Sequence, residues 1–139
     1  MPKSLNIYCD GGSRGNPGPG ASAFIVLDNM NISIYRQGNY LGRVTNNEAE
    51  YQAVLHALEW LIASEFRYLE VNFYLDSLLV VNQLSGIYRI KENHLKYLHN
   101  LIVKNISSYQ ILVKSFNHIP RSENSLADLL VNQTLDTLD

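Results

Sequence analysis

The stretch TNNEAEYQAVLHALEWLIAS, Thr45–Ser64, is where the chain changes its rhythm. Ala49, Ala53, Val54, Ala57, Leu58, Leu61 and Ile62 recur every three or four residues, so they line one side of a helix. Thr45, with Glu48 three positions on, has the form of a capping box and sets the helix start there. Upstream the period is two. Leu5, Ile7 and Cys9 alternate with more polar neighbours and end at Asp10. Ala21–Asp28 and Ile32–Gly42 then read as two further strands joined at a DNMN turn.

Downstream the two periods trade places again. Leu69, Val71, Phe73 and Leu75 alternate and run into Asp76, and Ser77–Gly86 is a short helix stopped by its glycine. Lys91–Ile106 reads as a helix, Tyr109–Phe116 as a fifth strand, Asn117–Asn124 as a loop and Ser125–Leu138 as a last helix. The order is βββαβααβα. Three leading strands suit an antiparallel meander, and strands that follow helices suit parallel addition by right-handed crossover. The expectation is an α/β domain with a five-stranded mixed sheet, a single unit over residues 1–139.

Composition narrows the class. Of 139 residues, 46% are hydrophobic and 17% charged, the profile of a chain that buries a core. Apolar runs such as Ala23–Leu27 are too short to cross a bilayer, so no membrane is expected. The N-terminus MPKSLNIY lacks a signal-peptide core, and Cys9 is the one cysteine. A cytoplasmic protein with a buried, inert thiol is expected. The net charge of −2 excludes a generally basic nucleic-acid coat.

In such a sheet, functional groups gather beyond the carboxyl ends of the parallel strands. Asp10 and Asp76 end two strands, Glu50 lies early in one helix, and Asp128 lies near the start of the last. If all four meet, mutual repulsion raises their pKa values and costs stability unless cations join them. Oxygen-only donors of this kind suit Mg²⁺ or Mn²⁺. Singly, each acid has an ordinary reading as turn former, helix cap or solvated face. Beside Asp10, the window Tyr8–Gly20 holds five of the eight glycines and two of the four prolines, more than a hairpin needs.

Four blocks in series, DGGSRGNPGPGA, TNNEAEYQAVLHALEWL, YLDSLLVVNQLSG and NHIPRSENSLADLLVNQ, together resemble type 1 ribonuclease H over nearly the whole chain. The resemblance implies the ribonuclease H-like fold. It implies hydrolysis of the RNA strand of RNA/DNA hybrids with two Mg²⁺ ions (Mn²⁺ as substitute), leaving 5′-phosphate and 3′-hydroxyl ends. The family's four carboxylates fall on Asp10, Glu50, Asp76 and Asp128, with Asp10 bridging the ions, and its mobile histidine falls on His118. Within TNNEAEY the matching acid is Glu50, and Glu48 is left to helix capping. Gly11, Gly12, Ser13 and Asn16 match residues that line the RNA strand, Asn46 joins Asn16 in reading 2′-hydroxyls, and Thr45 matches a grip on a DNA phosphate. Asn124 is placed with these substrate contacts.

Two departures stand out. Leu78 replaces a glutamine that touches RNA in many relatives, and Ser85–Leu95 passes into the next helix with no room for a basic, Trp-rich protrusion. The expectation is thus a compact form, without that protrusion or an extra hybrid-binding domain, acting as a monomer with no obligatory protein partner. Substrate grip falls to the cleft and to Arg14, Arg43, Arg89, Lys91 and Arg121. Of thirteen acids, four are the candidate ligands, and the remaining nine face eleven Lys and Arg. With cations bound, the surface is mildly basic. A junction resolvase or transposase-like nuclease, and a non-catalytic binding module, remain the alternatives on the same fold.

Overall fold

Strand–helix alternation builds an open sheet whose two edges are made by the first hairpin and the last strand. In the computed structural model, which describes residues 1–137, the strands are β1 (Ser4–Ser13), β2 (Gly18–Asp28), β3 (Ser33–Val44), β4 (Glu70–Leu75) and β5 (Leu112–His118). The helices are α1 (Asn46–Ala63), α2 (Leu78–Leu84), α3 (Asn93–Ser108) and α4 (Ser125–Asp136). Leu138, the expected end of the last helix, lies outside the described residues. The sheet order is β3-β2-β1-β4-β5. The β1–β2 and β2–β3 pairs are antiparallel, and the β1–β4 and β4–β5 pairs are parallel.

Alternation along the strands gives the sheet two apolar faces. Leu5, Ile7, Cys9, Phe24, Val71, Phe73 and Leu75 pack with Val54, Leu58 and Leu61 of α1 and Leu95, Leu98 and Ile102 of α3. On the other face Ala21 and Ala23 meet Val131 and Leu135 of α4. The small residues there let α4 lie close to the sheet. The capping box is formed as its spacing predicts: Glu48 N donates to Thr45 Oγ1 at 3.2 Å, and Thr45 N donates to Glu48 Oε1 at 3.1 Å.

Strand ends depart from the alternation in two instructive places. β1 continues three residues past Asp10, because Gly11–Ser13 stay paired with Gly20–Ser22 of β2. Its parallel pairing with β4 stops earlier, at Tyr8–Tyr74. Asp10 therefore sits where β1 keeps one neighbour and loses the other. β5 starts three residues later than predicted, because Tyr109 and Gln110 still belong to the end of α3, where Gln110 turns left-handed at φ 53°. His118 is consequently the last residue of β5, paired with Leu75, rather than part of a loop.

Candidate active site

Three acids meet at the edge where β1 and β4 part. One carboxylate oxygen from each of Asp10, Glu50 and Asp76 lies within 4.8 Å of the others. Parallel pairing of β1 and β4 brings Asp10 and Asp76 to the same end of the sheet. Glu50 arrives because α1 runs directly against β1 at Gly11. A Cβ on Gly11 would sit 2.2 Å from the Ala49 carbonyl carbon, so no other residue fits there. Gly11 N–H donates to Glu50 Oε1 at 3.0 Å and fixes that carboxylate. Asp128, in the first turn of α4, lines the same cleft of about 510 Å³ but stands outside the close trio.

Burial makes the trio electrostatically costly. Asp10 is pushed from 3.8 to about 6, mainly by burial and further by the charges of Asp76 and Asp128. Glu50 is pushed well up as well, first by burial and then by the neighbouring Asp10. Beneath them the Cys9 thiol is raised by burial, then by Glu50 and Asp10, which leaves it an inert core residue. Glu50 Oε2 is buried and makes no hydrogen bond among the described residues. An acceptor-only oxygen, shielded from water between two other carboxylates, is a position suited to a cation. The donor set is all oxygen, which favours a hard divalent ion over a transition metal that prefers nitrogen or sulfur.

The rim is built from the first hairpin and the start of α1. Asn46 Oδ1 accepts from Ser13 N at 2.9 Å and from Ser13 Oγ at 3.2 Å, and Asn16 Oδ1 accepts from Asn46 N at 3.0 Å. Both carboxamide oxygens are thus used within the rim. Gly12, Ser13, Arg14, Asn47 and Arg121 complete the lining on this side. Arg14 reaches across to Asp136 near the end of α4, 2.5 Å away.

Residues 8–134 match the family model described as "Reverse transcriptase-like". The ribonuclease HI of Halobacterium salinarum is 35% identical over 136 residues, 95% of this chain. A ribonuclease H of Brucella anthropi is 31% identical, with 96% of this chain and 91% of that protein covered. LC11-RNase H1, isolated from compost, superimposes with a TM-score of 0.92 at 37% identity over 98% of both chains. The chain belongs to the ribonuclease H family. The structure of LC11-RNase H1 in complex with an RNA/DNA hybrid is as similar, with a TM-score of 0.90 at 38% identity over 97% of this chain and 99% of that one. The chain spans 64% of the Halobacterium ribonuclease HI and 35% of three mycobacterial relatives.

Within this ribonuclease H fold the expected residues divide by position. Asp10, Gly11, Gly12, Ser13, Asn46, Glu50, Asp76 and Asp128 line one cleft. Thr45 lies outside that lining as the α1 cap, half-buried, with its oxygen occupied by Glu48 N. His118 is exposed at the end of β5 and does not line the cleft. Asn124, expected among the substrate contacts, is instead only 2% exposed and sits behind the acids. Its Nδ2 donates to the Cys9 carbonyl at 2.8 Å and to Asp76 Oδ2 at 3.4 Å, tying β1 to the acid that follows β4. A spacing of four residues before Asp128 was the available signal, and it carries no depth information. Gly11 also proves to be spaced for α1 rather than for a ligand.

No helix among the described residues is long and apolar enough to cross a membrane.

Proposed function

We propose that this protein is an endonuclease that hydrolyses the RNA strand of RNA/DNA hybrids with two divalent cations, Mg²⁺ or Mn²⁺, leaving 5′-phosphate and 3′-hydroxyl ends. The observation that carries the reading is the buried, unpartnered Glu50 Oε2 within a trio of carboxylates. Asp10, Glu50 and Asp76 would hold one ion, and Asp128, across the cleft, would share a second with Asp10. When bound, such ions lower the pKa of water and stabilise a leaving oxygen.

The protein's own groups do the rest. Gly11 N–H holds Glu50 in place, and Asn124 holds Asp76. Because Asn16 and Asn46 spend their oxygens internally, their Nδ2 groups are left to donate to the 2′-hydroxyl and minor-groove acceptors of an RNA strand. Thr45, whose oxygen is already an acceptor, keeps its O–H to donate to a DNA phosphate. His118 would carry a proton to or from the reacting groups. The reading treats the chain as one catalytic domain that acts as a monomer in the cytoplasm.

The experiment offers labelled hybrid, DNA duplex, RNA duplex and a four-way junction, each with Mg²⁺ or with chelator. Cleavage of the hybrid's RNA strand, lost on chelation, is expected. Equal cleavage of the DNA duplex or the junction would point to a resolvase-like nuclease. Hybrid binding without cleavage of any substrate would leave only a binding module.

A further inference from the structure

We infer that Arg14 is a phosphate-binding residue held in reserve by Asp136, so that the Arg14–Asp136 pair tunes how tightly nucleic acid enters the cleft. This deepens the proposed hybrid-cleaving activity and rests on it. Arg14 stands at the tip of the β1–β2 hairpin, and it lines the cleft that contains all four acids. Its main chain is fixed, with Arg14 N donating to the Pro19 carbonyl at 2.8 Å. Ser13 beside it is bound to Asn46. Only the side chain is at liberty to change partner.

In the structure that side chain is turned along the rim to Asp136, with Nη2 2.5 Å from Oδ1. Both partners are well exposed, 43% for Arg14 and 64% for Asp136. An ion pair that open to water is weak, so a phosphate diester can compete for the guanidinium. The cleft otherwise repels a polyanion: four acids line it, against Arg14 and Arg121. Release of Arg14 therefore changes the balance of charge just where a strand must cross to reach the acids. Asp136 also belongs to α4, the helix that presents Asp128, so the competing carboxylate is held at fixed reach.

The test is a double-mutant cycle on hybrid affinity, measured in Ca²⁺ or chelator over a salt series, with cleavage of hybrid by the parent protein as reference. Arg14→Ala is expected to weaken binding and to lower the slope of log affinity against log salt by about 0.9, one phosphate contact. Asp136→Asn is expected to tighten binding about two- to fivefold, the range of an exposed ion pair. In the Arg14→Ala background Asp136→Asn should do nothing. If it tightens binding equally there, Asp136 acts only through its general field and the inference falls. If Arg14→Ala leaves the slope unchanged while the parent binds and cleaves hybrid, the inference falls alone. A parent that neither binds nor cleaves hybrid overturns the functional reading with it.

Discussion

Asp10 and Glu50 are the residues where folding and the proposed chemistry conflict. A carboxyl whose pKa rises on folding binds more protons in the folded than in the unfolded state. Stability then falls as pH rises through the window between the two values. For Asp10 that window runs from 3.8 to about 6, and the raised Glu50 extends it upward. Metal-free protein should melt at a higher temperature at pH 5 than at pH 7.5, and saturating Mg²⁺ should shrink the difference. Asp10→Asn should remove much of the pH dependence and raise the metal-free melting point by several degrees, on the order of 1–3 kcal/mol, while abolishing cleavage. Retention of a tenth of the parent rate would show that Asp10 is not a shared ligand. Glu48→Gln, which preserves the capping geometry, serves as the active control. These acids were legible because a strand's end and a helix's first turns can be read from periodicity. Asn124 was not, because depth depends on which elements close over a residue.

At the scale of elements, Gly11 decides whether α1 can reach β1. A methyl group there meets the main chain of Ala49 and Glu50, which cannot swing aside as a side chain can. Gly11→Ala should cost about 1–3 kcal/mol by overpacking. It should also weaken Mg²⁺ binding, measured by calorimetry, because Glu50 moves with the helix. An unchanged metal affinity would detach the packing from the site. The register of β5 bears on His118 in the same way. Pairing with Leu75, followed by an Ile119 N–H bond to the Leu75 carbonyl at 2.9 Å, pins its main chain, so only the side chain can travel. We expect His118→Ala to slow single-turnover cleavage about tenfold, below the usual range for acid–base help, with little change in hybrid affinity. Rates within twofold of the parent would make it a surface residue. The sequence pattern placed β5 too early because Tyr109–Ile111 are as strand-like in composition as the residues that follow. Only the closure of α3 tells them apart.

Over the whole molecule the charges are sparse and mixed, and the basic residues lie singly on different elements. Hybrid should therefore bind through few phosphate contacts, with a shallow salt dependence. A slope that requires six or more neutralised phosphates would reveal a basic surface that the structure does not suggest. The architecture itself was readable from the order of periods, since an antiparallel meander followed by crossovers leaves few sheet topologies open. The central pairing of β1 with β4 has one more consequence, in time rather than space. It joins the N-terminal hairpin strands, which are close in sequence, to a parallel strand some sixty residues later, a slow kind of contact to form. Asp10 and Asp76 face each other across that seam, so a cation there would be a clasp fastened after the halves have met. Mg²⁺ should then slow unfolding in stopped-flow denaturant jumps and leave the refolding rate nearly unchanged. Faster refolding would mean that the seam closes around the ion before the rest of the sheet has formed.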